Sequence, residues 1–200
     1  KLCSLLPIDT RIRYHLIPRR FFERKKRLVA DLAYIADSLA KKRYKVVLLP
    51  MYSGRVSPHD EVLCSEIKAK MKYYAHAKVA RGDLTISEII EILKGCDLVI
   101  AMPLHTLILS TMHNTPAIAI NYQTKGQRFM ESIGQSRNSY YLRDILQEVP
   151  KRNVLSRADV ILSEAAQTRT ELRRYIINER KKAIHNFHLV ESYIASHENK

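Results

Sequence analysis

Tryptophan is absent from this 200-residue chain, and cysteine (three), phenylalanine (four), glycine (five) and proline (seven) are all scarce. So few Gly and Pro exclude a collagen-like repeat and long flexible linkers. The cysteines Cys3, Cys64 and Cys96 are far apart and form no C-x-x-C pair. That spacing excludes a disulfide framework or a clustered zinc site, and predicts buried thiols in a reducing compartment. The one close imidazole pair, His185 and His188, has no third ligand nearby. No apolar run reaches about 18 residues, so no transmembrane helix is expected. No signal-peptide pattern follows Lys1, and a first residue other than Met predicts that the chain begins inside a longer protein. Acidic residues are outnumbered, with 20 Asp and Glu against 34 Lys and Arg and a formal net charge of +14.

What is present is ordinary for a globular chain, with 46% hydrophobic and 27% charged residues. The length suits one large domain or two small ones with a real core. The positive charge gathers at the start. Residues 1–50 hold thirteen Lys and Arg against four Asp and Glu, mainly through Arg19, Arg20 and the run Arg24–Arg27. Such a cluster reads as a solvated helix face, a contact with an anionic membrane surface, or a phosphate contact. No recognisable nucleic-acid module accompanies it, so specific nucleic-acid binding is not expected.

Short apolar runs alternate with helical periodicity. Strands are predicted at 2–6, 46–49, 77–80, 97–101 and 117–120, with an edge strand at 139–142. Helices are predicted at 21–42, 60–74, 104–113 and 126–133, the last ended by Gly134. Thr85 and Glu88 have the spacing of a capping box opening a helix, which Gly95 is expected to close in a left-handed conformation. Beyond Leu162 a long amphipathic helix is predicted over about 163–196. This alternation predicts a single α/β domain over residues 1–200, a Rossmann-like parallel sheet with helices on both faces.

Open parallel sheets bind ligands beyond the carboxyl ends of their strands. Two such ends stand out, Pro50–Arg55 and Ala101–His105. Pro103 suits the start of the next helix, and Leu104 and His105 fall in its first turn. Unpaired amides and the helix dipole favour an anion there, and a histidine can donate to a phosphate oxygen or pass a proton. A structural role for His105 is the plainer alternative. Asn121, Tyr122 and Lys125 stand at the next strand end, where the lysine reads either as a cover for the same anion or as a solvated loop residue. Ser110, Thr111 and His113 read as packing or surface residues. No nucleophile elbow, Walker loop or dinucleotide fingerprint is present.

Three segments carry a resemblance. They are Asp97-Leu-Val-Ile-Ala-Met-Pro-Leu-His-Thr-Leu-Ile-Leu109, Thr115-Pro-Ala-Ile-Ala-Ile-Asn-Tyr-Gln-Thr-Lys125 and Phe129-Met-Glu-Ser-Ile-Gly134. Their order resembles the polysaccharide pyruvyl transferase family: an apolar strand, Gly-Met-Arg-x-His, an apolar helix, a Val-Pro-like strand, Tyr-x-x-Lys and Phe-x-x-x-x-Gly. The earlier Val46-Val-Leu-Leu-Pro-Met51 and Asp60 also fit. The likeness covers about residues 2–195, and family members are about twice as long. It therefore implies the C-terminal lobe of a two-lobed, GT-B-like enzyme, with the N-terminal lobe outside this chain.

The resemblance implies transfer of a pyruvyl group from phosphoenolpyruvate to a sugar of a surface polysaccharide, forming a cyclic ketal. It implies no cofactor or metal beyond that donor, and a glycan or lipid-linked sugar as acceptor. It also implies a cytoplasmic site of action, at or near the inner face of the membrane. His105 matches the motif histidine and is assigned donor contact or proton transfer. Lys125 matches the motif lysine; Tyr122, Pro103, Leu104 and Arg55 complete the expected donor site. Two positions depart from the motif: Pro103 replaces the arginine and Ala101 the glycine. The first strand, which commonly ends in arginine in the family, here leads to Leu6. Losing two guanidinium groups removes bidentate anion clamps, for which Arg11, Arg13 or Arg55 are the nearby replacements. Two other readings stand beside this one: a GT-B-type glycosyltransferase using a nucleotide sugar, and an inactive binding domain for an anionic glycan, lipid or protein partner. The long last helix is expected to pack on another lobe or on a second subunit.

Overall fold

Six strands, every neighbouring pair parallel, form one sheet in the order β3-β2-β1-β4-β5-β6. They are β1 (Leu2–Leu5), β2 (Lys45–Leu48), β3 (Ala77–Val79), β4 (Leu98–Ala101), β5 (Ala117–Asn121) and β6 (Ser139–Tyr141). The helices are α1 (Arg19–Lys41), α2 (His59–Lys70), α3 (Ile86–Lys94), α4 (Leu104–Met112), α5 (Thr124–Ser132), the short α6 (Leu142–Ile145), α7 (Glu148–Ser163) and α8 (Ala165–His197). The computed structural model describes residues 2–5, 19–51, 59–82, 84–145 and 148–197. Leu6, Arg11, Arg13 and Arg55 lie outside the described residues.

The expected α/β architecture is met, and the two apolar clusters show why. Leu28, Leu32, Ile35 and Leu39 of α1 share one cluster with Leu63 and Ile67 of α2 and Val154, Ala158 and Ile161 of α7. Ile89 and Leu93 of α3, Leu107 of α4, Met130 of α5 and Leu172 and Ile176 of α8 form the other. Alternate strand residues feed opposite faces. Ile118 and Ile120 join the first cluster, while Ala117 and Ala119 join the second. β4 and β5 are buried along their whole length, as expected for strands covered on both sides. Each large aliphatic side chain so buried contributes about 1.5–3 kcal/mol.

This distribution fixes the switch point. α1 and α2 lie on one face, whereas α3, α4 and α5 lie on the other, and β1 and β4 are neighbours at the reversal. The helices that follow β1 and β4, α1 and α4, thus lie on opposite faces, and in open parallel sheets ligands bind at such a reversal.

Several local expectations are corrected. Gly95 does close α3, but at φ −74 it is right-handed, with its amide bonded to Glu91 O. Gly82 (φ +93) and Gly134 (φ +68) are the described glycines with positive φ, and over Gly134 the Tyr175 ring of α8 packs so closely that a side chain there has no room. The helix after Asp60 stops at Lys70 and is followed by a 3-10 turn at Tyr74–His76. The long last helix runs Ala165–His197 and is preceded by α7, which periodicity had not marked. The Thr85–Glu88 capping box is present in both directions.

Candidate functional site

β4 ends at Ala101 and the chain turns through Met102 and Pro103, both buried, into α4. Pro103 occupies the N-cap rather than the first turn, at φ −74 and ψ 137, and makes no side-chain cap. The first amide bonded within α4 is Leu107 N–H, to Pro103 O at 3.3 Å. The amides of Leu104, His105 and Thr106 therefore precede the helical ladder and face outward along its axis. Leu104 is half-buried and His105 is exposed, with no hydrogen bond or ion pair to any described residue. Thr106 is 2% exposed, and its hydroxyl has no partner among the described residues. Further along α4, Ser110 and Thr111 are buried and return their hydroxyls to the backbone at Thr106 O and Leu107 O, which makes them packing residues.

The neighbouring strand end is built similarly. β5 ends at Asn121, followed by exposed Tyr122 and Gln123, and α5 opens at Thr124. Gln123 is the N-cap and gives no side-chain cap. Lys125, in the first turn, is exposed. The structure thus brings Pro103, Leu104 and His105 to one strand end and Tyr122 and Lys125 to the adjacent one, on the same edge of the sheet. Arg55 lies outside the described residues.

Sequence reasoning gave Asn121 no function and passed over Gly126. Asn121 shares its face with Ala117 and Ala119, so it points toward α4 and α5 rather than toward solvent. Its Nδ2 donates to Ser139 Oγ at 2.7 Å and to Tyr140 O at 3.3 Å. Its Oδ1 lies against Gly126, in the space a side chain there would take. A glycine within the first turn of a predicted helix is the available sequence signal for such an approach.

Part of the basic run of α1 is paired. Lys25 pairs with Glu66 at 2.8 Å, Lys26 with Glu23 at 3.6 Å, and Arg27 reaches Asp31 at 4.0 Å. His185 and His188 lie exposed on α8, with His188 Nδ1 3.2 Å from Glu191. Among the described residues no group of His, Cys, Asp and Glu has metal-site geometry, and no helix is long and apolar enough to cross a membrane.

The sequence profile of the polysaccharide pyruvyl transferase family matches residues 2–124, from β1 through the β5–α5 turn. The chain belongs to this family. A curated relative, the amylovoran biosynthesis protein AmsJ of Erwinia amylovora, is 24% identical over 152 residues, covering 73% of this chain and 35% of that protein. The chain thus spans about a third of the length of the relative it matches. Among solved structures, the N-terminal domain of Candida albicans trehalose-6-phosphate phosphatase superposes with a TM-score of 0.50 at 13% identity, over 89% of this chain and 39% of that one. The spinosyn forosaminyltransferase SpnP matches with a TM-score of 0.44 at 14% identity, over 92% and 43%.

Proposed function

We propose that this chain carries the donor-binding part of a polysaccharide pyruvyl transferase, which moves the pyruvyl group of phosphoenolpyruvate onto two hydroxyls of a sugar. The observation that carries the reading is the exposed imidazole of His105 on the uncapped first turn of α4, beside the β1/β4 switch point, in a chain of this family. Three unladdered amides and the positive end of the α4 dipole favour a phosphate or carboxylate at that turn.

The chemistry asks for three things. The methylene carbon of the donor takes a proton and becomes a methyl group. The adjacent carbon then carries oxocarbenium character while two sugar oxygens bond to it in turn. The bond to the phosphate oxygen breaks, the phosphate leaves, and each sugar hydroxyl gives up its proton. His105 is the group at this turn whose imidazole can deliver or receive a proton. Lys125, at the neighbouring strand end, supplies a point charge for the donor's anionic groups. Pro103 contributes shape but no charge where the family motif has arginine. The donor therefore depends more on amides and on His105 here than on a guanidinium clamp. The acceptor in this reading is a sugar unit of a surface polysaccharide, in keeping with the amylovoran-related relative.

Calorimetry of the chain against phosphoenolpyruvate, with a nucleotide-sugar panel in parallel, tests the reading. Binding of phosphoenolpyruvate that falls about tenfold or more in His105→Ala, the loss of one charge-assisted contact, is the expected result. Preference for a nucleotide sugar, or no binding of phosphoenolpyruvate, overturns it.

A further inference from the structure

Among the described residues no hydrogen bond joins the side chains of His105 and Lys125, yet the two helix starts that carry them meet through one notch. Gly126, the third residue of α5, leaves the notch open. The Asn121 carboxamide fills it: a Cβ at Gly126 collides with Asn121 Oδ1 and comes within 3.2 Å of Asn121 Cγ. Leu107 Cδ1, 3.6 Å from the same point, closes the notch from α4. Leu107 is two residues beyond His105, and Gly126 directly follows Lys125.

The amide is held from its other end. Its Nδ2 donates to Ser139 Oγ and Tyr140 O of β6, so its orientation is set by hydrogen bonds rather than by packing alone. Its Oδ1 is buried with no donor among the described residues, and Asn121 as a whole is 3% exposed. An orphaned buried acceptor destabilises a fold and calls for a reason. An isosteric leucine would fill the same space without that penalty, but it could not tie β6 to the β5–α5 turn.

We propose that Asn121, seated against Gly126, is the positioning residue that sets the spacing between the α4 and α5 starts, and so between His105 and Lys125. The claim rests on the donor-site reading above but concerns geometry that exists without donor. Asn121 does not touch the donor; it acts through the two helices. Small displacements of such groups have large effects on binding and rate, and a single added methyl in the notch is enough to produce one.

The test compares the wild-type chain with Gly126→Ala, Asn121→Ala and the double variant. Each is followed by thermal denaturation, by NMR of the His105 ring and of 13C-methylated Lys125, and by calorimetry with phosphoenolpyruvate. Gly126→Ala is expected to shift the His105 ring resonances, 21 residues away in sequence, and to weaken phosphoenolpyruvate binding about tenfold while remaining folded. Adding Asn121→Ala removes the obstructing oxygen. The double variant is then expected to bind within about threefold of Asn121→Ala alone, the non-additivity of residues in contact. An unmoved His105 ring in folded Gly126→Ala, or strictly additive effects, overturns the proposal. If wild type binds no phosphoenolpyruvate, the donor reading fails by itself, and the ring resonances still decide the positioning claim. Should Gly126→Ala not fold, Asn121→Leu, which fills the space without the bonds to β6, carries the comparison: a shifted His105 ring supports the proposal and an unmoved ring overturns it.

Discussion

Lys151 Nζ lies 2.5 Å from Asp31 Oδ1, joining α7 to α1 across 120 positions of sequence. Asp31 is 6% exposed on its side chain, its second oxygen has no hydrogen bond among the described residues, and Arg27 stands 4.0 Å away. Removing one member of a buried pair leaves an uncompensated charge. Lys151→Met or Asp31→Ala should therefore lower unfolding free energy by about 3 kcal/mol. The pair Asp31→Leu with Lys151→Met should come much closer to wild type. Urea unfolding of the three variants decides it, and single variants within about 0.5 kcal/mol of wild type would show that the pair is solvated.

A guanidinium performs a similar task at the opposite end of the sheet from the candidate site. Arg169 of α8 donates from Nη1 to Asn114 O at 3.1 Å and from Nη2 to Cys96 O at 3.0 Å. It thereby clamps the segments that lead into β5 and β4. Arg169→Ala should destabilise the chain by about 2 kcal/mol, since hydrogen bonds to a charged group are the strong ones. Arg169→Lys, with one ammonium for two diverging carbonyls, should recover only part of it. Equal stability of the lysine variant and wild type would refute the two-point clamp.

Burial pushes the thiols of Cys64 and Cys96 up to about 12, with nearby carboxylates (Asp60 and Glu61, and Asp97) adding to the effect. The thiolate is the reactive species. Both cysteines should stay unmodified by iodoacetamide at pH 8 in the folded chain and react fully in denaturant, read by peptide mass spectrometry. The raised values also set a sign. The folded chain keeps protons that the unfolded chain gives up above its ordinary thiol value of 9.0. This contribution is complete below that value and is lost as pH rises toward about 12, so stability should fall in that window.

At the start of α3, Glu88 accepts the Thr85 backbone amide and hydroxyl, each at 2.8 Å, while Glu88 N–H donates to Thr85 Oγ1 at 3.3 Å. The backbone bond first, and the hydroxyl second, hold the Glu88 carboxyl below its ordinary value. Its stabilising effect is present above the ordinary carboxylate range and is lost as pH falls through the lowered value. Thr85→Ala should cost about 1 kcal/mol at neutral pH. The acid limb of the stability profile should be shallower in Glu88→Gln than in wild type; identical limbs would contradict the assignment.

Much of the fold was legible because β2, β4 and β5 are short apolar runs bounded by polar or turn residues, and because Thr85 and Glu88 announce their own cap. The strand order was not. It depends on which face each helix takes, which emerges only when Leu107 and Met130 pack on one side and Leu32 and Ile67 on the other. α7 carries Pro150 in its first turn, where a proline is tolerated, so composition alone does not mark its start. At the site, His105 and Lys125 were readable as residue types at strand ends. Asn121 was visible only as a neighbour of the lysine, since its importance comes from a cross-strand bond and a contact with Gly126, neither of which leaves a periodic trace. Gly95 shows the converse: its residue type fits a left-handed cap, yet the turn through Cys96 N–H to Leu93 O keeps it right-handed.

The central position of β1 has a consequence for biosynthesis. Its partners are β2, beginning at Lys45, and β4, beginning at Leu98. As the chain leaves the ribosome, β1 gains its first neighbour early and must then wait while about 50 further residues are made, roughly 3–10 s at ordinary elongation speed. During that interval the nascent sheet presents a bare hydrogen-bonding edge at what will become its middle, and a chaperone that shields extended segments would find its substrate there.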